Sequence, residues 1–156
     1  MEKRVITKEI QRLRDLLSQT MAQMDRITQL YTYIDKLDGI EQAELTELIR
    51  ICEGNGLDDV TSLDRKVKYL LKPQLEGKLR KQSNGRYAVV FGNKYFEVLT
   101  CGKPIELFIP DQELEDYGWQ FGRVEHSDEY GGYYFFNESG WEHYGLHPGM
   151  TAAIRK

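Results

Sequence analysis

Cysteine and histidine are scarce in this sequence, and the scarcity excludes several chemistries. Two cysteines, Cys52 and Cys101, fall in different regions and form no motif. So few make no disulfide framework, and they are expected to be reduced thiols of a cytoplasmic protein. The three histidines are His126, His143 and His147. With Glu125 and Glu142 nearby a metal site can be drawn, but His143-Tyr144-Gly145-Leu146-His147-Pro148 carries Gly and ends at Pro. It reads as a loop, where the i,i+4 spacing of a helical ligand pair does not apply, so neither metal nor cofactor is expected. No apolar run approaches the roughly 20 residues that span a bilayer. The start, Met1-Glu2-Lys3-Arg4, leads into an amphipathic stretch rather than an apolar one, so no signal peptide is expected. There is no glycine-rich phosphate loop. Glu138-Ser139-Gly140 lacks the flanking glycine of a nucleophile elbow. Cys101 lies in a turn without a basic activator. No enzyme is expected.

Aromatic residues are also nearly missing from the first half, which holds 3 of the 18. Their concentration in the second half organises the chain. Between residues 86 and 155 short β-branched or aromatic runs alternate with Gly, Asn, Pro and Asp breaks: 86–91, 95–99, 105–109, 119–126, 133–137 and 150–155. Such runs are strand signatures, and six short strands with tight turns predict a small antiparallel β barrel or a curled sheet. Alternation places Ile105, Leu107 and Ile109 on one face, and Trp119, Phe121 and Arg123 together on a face of the next strand. Gly122 is a candidate bulge.

The first half is helical. From Lys3 to Leu37 there is no Gly or Pro, and Ile6, Leu13, Thr20, Ile27 and Ile34 recur every seven residues, with Ile10, Leu17, Met24 and Tyr31 four residues after the first four. This is a coiled-coil seam on a helix of roughly 50 Å. The candidate oligomerisation residues are Ile6, Ile10, Leu13, Leu17, Met24, Ile27, Tyr31 and Ile34. Two uses are open: a homodimer or partner-binding coiled coil, and packing against the helices that follow. A second helix is expected over 40–53 after Asp38-Gly39, and a third from Thr61 or Ser62 to Pro73, after a Gly54-Asn55-Gly56 break. The fold class is therefore α+β, with a long helix and helical hairpin over 1–82 and a small β domain over 83–156.

Charge is divided unevenly. The net −4 splits into 15 Lys/Arg against 14 Asp/Glu in residues 1–82 and 6 against 11 in residues 83–156. Arg65, Lys66, Lys68, Lys72, Lys78, Arg80 and Lys81 stand against Glu76 alone in residues 65–81. This is the one stretch suited to contacting nucleic-acid phosphates, and otherwise a solvated helical face. In the β half, Tyr130, Tyr133, Tyr134, Trp141, Arg123, Glu125 and His126 are the candidate partner-binding residues. Their acidic surroundings point to a protein rather than a nucleic acid.

Gly85-Arg86-Tyr87, Leu99 to Glu106, Trp119, Gly122 to His126, Tyr133-Tyr134, Leu146, Gly149-Met150 and Ile154-Arg155 together resemble a small domain family of unknown function carried on plasmids, phages and integrative elements of Gram-positive bacteria. The resemblance covers residues 75–156. It implies a mobile-element setting and transfers no catalytic residues. The function expected is non-catalytic docking on a protein or nucleoprotein partner, in one version as an inhibitor of a host defence nuclease in the manner of an anti-CRISPR protein. The alternative is a nucleic-acid-binding accessory protein using residues 65–81.

Overall fold

The computed structural model describes residues 3–92, 95–114, 117–137 and 142–156. The chain divides into two units, Met1–Lys72 and Pro73–Lys156.

The first unit contains α1 (Lys3–Gln29), α2 (Gly39–Glu53) and α3 (Asn55–Leu71), with α1 packed against both of the others. The long helix is shorter than its heptads suggest. After Gln29 it tightens to a 3-10 segment over Leu30–Lys36. The third helix starts earlier than expected. Gly54 is its N-cap, Asn55 and Gly56 lie inside it, and Thr61 and Ser62 are interior rather than capping residues. It ends before Pro73, whose ring cannot continue a helix. The heptad residues divide by depth. Leu17 is buried, and Ile10, Met24, Ile27 and Ile34 are half-buried, whereas Ile6, Leu13 and Tyr31 are exposed. α1 has 27 residues, against 15 for α2 and 17 for α3, so neither neighbour matches its length.

The second unit is one eight-stranded antiparallel sheet: β1 (Gln74–Lys81), β2 (Tyr87–Val90), β3 (Phe96–Val98), β4 (Pro104–Ile109), β5 (Gly118–Ser127), β6 (Gly132–Asn137), β7 (Glu142–Gly145) and β8 (Thr151–Arg155). The strand order is β3-β2-β1-β8-β4-β5-β6-β7. Among the described residues β3 and β7 do not pair with each other, so the sheet curls without closing into a barrel. Two strands lie outside the six expected: β1, within the basic stretch, and β7, where a loop was expected. Because β1 belongs to the sheet, the chain divides at Lys72–Pro73 rather than after residue 82.

One core follows from the curl. Leu79, Val89, Leu107, Val124, Phe135 and Ile154 come from six different strands and are buried in one cluster on the inner face. Tyr87 joins it and donates from its hydroxyl to the Leu146 carbonyl at 2.7 Å. Two glycines mark where the curl is tightest. A Cβ on Gly122 would lie 2.1 Å from the Phe136 carbonyl oxygen and 2.6 Å from the Phe135 ring, and one on Gly77 would lie 2.5 Å from the Val90 carbonyl oxygen. Gly122 forms no bulge. β5 runs in continuous register with β4 and then β6, and the glycine supplies the bed for Phe135.

Candidate binding face

The ladder that turns the apolar residues inward turns a second set outward. Lys78 pairs with Val90 and Arg80 with Ala88. Ala88 pairs with Val98, Val90 with Phe96 and Glu106 with Ala153. Phe108 pairs with Trp119, Glu106 with Phe121, Arg123 with Phe136 and Glu125 with Tyr134. The outer face therefore carries aromatic rings interleaved with cations. Arg80 lies over Phe96 at 5.6 Å, Arg155 over Phe121 at 5.6 Å and Arg123 over Phe136 at 4.6 Å. Trp119 meets Phe108 edge-on at 5.5 Å, and Tyr117 meets the same ring edge-on at 6.3 Å. Phe121 is 43% exposed and Trp119 37%.

Beneath Arg155 is a polar floor. The Glu106 side chain is completely buried, and both the Arg155 guanidinium and the Gln74 amide donate to its carboxylate. Burying a carboxylate requires such partners, because an unpaired one would lose its hydration without return. The interaction holds Arg155 over the Phe121 ring.

The residues expected to bind a partner divide between the two faces. Arg123, Glu125 and Tyr134 lie on the outer face, and Tyr130, at the β5–β6 turn, stacks on His143 at 4.7 Å, with Tyr134 5.2 Å from the same ring. His126 and Tyr133 lie on the inner side, 4.8 Å apart, and Tyr133 packs against the core. Trp141 lies outside the described residues. Arg123 and Glu125, two apart on one face of β5, form an ion pair with each other. The Cys101 thiol donates to Glu125 at 2.9 Å, and this bond with the Arg123 pair holds the Glu125 carboxyl below its ordinary range. The same carboxylate pushes the Cys101 thiol up, which keeps it protonated and a poor nucleophile.

The basic stretch 65–81 is not a single helical face. Arg65, Lys66 and Lys68 are in α3, with Lys72 at its C-cap, and Lys68 pairs with the buried Asp64 at 2.5 Å. Lys78, Arg80 and Lys81 are in β1, where Lys78 and Arg80 face outward with the rings and Lys81 faces the other way. Nor is the ring face acidic. Its strand cations are Lys78, Arg80, Arg123 and Arg155, and its acids are Glu76, Glu125 and the buried Glu106. Four of the 11 acids of residues 83–156 are outside the strands, at Asp111, Glu113, Asp128 and Glu129. Glu97 points away from the ring face and is held at about 2 by Lys103, Lys156 and Tyr95.

A family model described as a domain of unknown function, DUF5348, matches residues 77–154. The chain belongs to this family. The match begins in β1 and ends in β8, so the DUF5348 domain is the sheet, and it agrees with the span of 75–156 given by the resemblance. No curated protein and no solved structure matches the chain. Sequence reasoning placed Trp119, Phe121 and Arg123 on one face but left Trp119, Phe121, Tyr117 and Arg155 out of the binding set. The available signal was the alternation itself, joined to that of the last strand of the DUF5348 sheet.

Proposed function

We propose that the chain is a non-catalytic binding protein that docks on a protein or nucleoprotein partner through the outer face of its DUF5348 sheet. The observation that carries this reading is the exposed group Tyr117, Trp119 and Phe121 beside Arg155. Large rigid rings next to an arginine are the residues that dominate binding hot spots. The side chains closest to a reactive role support binding over chemistry, since the Cys101 thiol is held protonated and Glu106 is bound by Arg155 and Gln74. A photo-crosslinking residue at position 121 tests the reading. Adducts in an extract of the source cell are expected to exceed those from a probe at the exposed His147, and equal yields would refute it.

In its narrower form the protein belongs to a mobile element and inhibits a defence nuclease in the anti-CRISPR manner. The acidic turns at Asp111–Glu113 and Asp128–Glu129 would then compete for a basic nucleic-acid channel. Neutralising those four carboxylates is expected to abolish protection of an invading element, and unchanged protection would refute this form. In the helical unit, Val5, Ile6, Leu13 and Leu16 remain exposed on α1, and a second copy of the chain is the proposed occupant of that stripe. Leu13→Asp with Leu16→Asp is expected to halve the mass seen by analytical ultracentrifugation while leaving helicity unchanged. A wild-type chain that sediments as a monomer would refute the proposal.

A further inference from the structure

We infer that the outer face of the sheet takes an extended single strand of DNA, laid across the strands from Arg80 and Phe96 to Phe121 and Trp119. The inference rests on the docking role proposed for that face and names the chemistry of its occupant.

Three features lead to it. The first is ring spacing. Trp119 and Phe121 are alternate residues of β5 on one face, so they stand about 6.7 Å apart along the strand. Bases in a duplex stack at about 3.4 Å, so a strand that crosses the sheet and then turns along β5 to meet both rings must have its bases separated, which a duplex does not allow. Stacking on aromatic side chains tolerates any base, because every base has a π-face. The second is charge. Lys78 and Arg80 lie on this face, and Arg86 continues their hairpin opposite Gln82, whose backbone N–H donates to the Arg86 carbonyl at 2.8 Å. No carboxylate among the described residues pairs with these three. Arg155 also lies over the Phe121 ring, with its charge paired to Glu106, so the uncompensated cations are the other three. Rings for bases and neighbouring cations for phosphates are the two components of a single-strand site. The third is reach. β3 and β5 are separated by five strand spacings, about 24 Å, which suits about four nucleotides of extended chain, the lower end of known site sizes.

The neutral side chains of the central strands are not aimed at a ribose hydroxyl and give RNA no added reward, and the strand proposed is DNA. Gln74 donates to Glu106, and Thr151 accepts from Lys78 at 2.6 Å, so these neutral side chains are engaged within the sheet. Reading a 2′-hydroxyl requires a donor or acceptor to spare.

The test is fluorescence anisotropy of the full chain with labelled oligothymidylate, with oligouridylate and a DNA duplex as separate arms, across a salt series. Saturable binding of oligothymidylate is expected, with a slope of log K against log salt of about −2 for three phosphate contacts. Trp119→Ala and Phe121→Ala should each weaken it about tenfold, and Phe121→Trp should retain it. Arg80→Ala should make the slope shallower by about 0.7. Circular dichroism melts confirm that each variant is folded. Absence of saturable binding at low salt, tighter binding of duplex or oligouridylate, or loss on Lys66→Ala with Lys68→Ala but not on Phe121→Ala would each overturn the inference. The crosslinker at position 121 separates the two claims. Selective protein adducts without oligothymidylate binding reject the DNA and keep the docking face, and neither signal rejects both.

Discussion

Replacing Gly122 with alanine is the sharpest perturbation of the sheet. The added Cβ would stand 2.1 Å from the Phe136 carbonyl oxygen, 2.6 Å from Phe135 Cζ and 2.7 Å from Phe135 Cε2. Neither neighbour can yield cheaply. Phe136 pairs with Arg123 in the β5–β6 ladder, and Phe135 is fully buried in the centre of the core. An ordinary contact needs more than an ångström of separation beyond these values, so β5 and β6 must move apart or the ring must leave its site. Overpacking of this kind costs about 1–3 kcal/mol, and two fixed neighbours place the expected cost at the upper end. For a unit of this size each kcal/mol lowers the melting temperature by about 4–8 °C, which predicts a fall of about 10–20 °C. The assay is thermal and urea unfolding followed by near-ultraviolet circular dichroism, whose signal comes mainly from the rings of the sheet. Gly92→Ala is the control, because a Cβ there meets nothing within 4 Å and the backbone has no positive φ. If Gly122→Ala and Gly92→Ala melt within a few degrees of each other, the close packing of β6 over Gly122 is wrong.

Three further predictions follow the same logic. Arg155→Ala leaves Glu106 buried without its cation and should destabilise by about 3–5 kcal/mol in urea titration, whereas Arg155→Leu with Glu106→Leu should recover most of the loss. Glu97→Gln tests the carboxylate held at about 2. Its folded value lies below its ordinary 4.5, so its stabilisation is complete above about pH 4.5 and is lost as pH falls through about 2, and the gap in melting temperature between wild type and variant should close over that window. Tyr87→Phe removes the buried hydroxyl that satisfies the Leu146 carbonyl, and should cost about 1–2 kcal/mol with an unchanged m-value in urea.

Much of this architecture is legible in the chain. β2, β3, β4, β5, β6 and β8 each fall within about two residues of an apolar run closed by a turn signal, because all but short β3 contribute residues to the core and their alternation is strong. β1 is hidden by its charge. Leu75, Gly77 and Leu79 alternate inward, but Lys78, Arg80 and Lys81 dominate the local composition and make the strand read as part of a basic hinge. β7 is a four-residue edge strand, Glu142-His143-Tyr144-Gly145, whose polar residues and closing Gly read as a loop. The end of α1 escapes prediction for a different reason. Its heptad continues to Ile34, yet the backbone tightens to 3-10 geometry after Gln29 without a Gly or Pro to mark the change. The face was legible only in part. The rings of β5 could be grouped from alternation, but the arginine over Phe121 comes from β8 and the one over Phe96 of β3 comes from β1, and only the strand order brings these together. Net charge misled for the same reason, since it sums acidic turns with a face that they do not occupy.

The central claim is that the outer face of the DUF5348 sheet takes a single strand of DNA, and amide NMR of the full chain titrated with oligothymidylate tests it most directly. The account predicts the largest shift changes at Arg80, Phe96, Phe121 and Arg155, with His126 and Tyr133 on the inner side unmoved. Changes confined to α3 around Lys66 and Lys68, or none anywhere on the sheet, would contradict it.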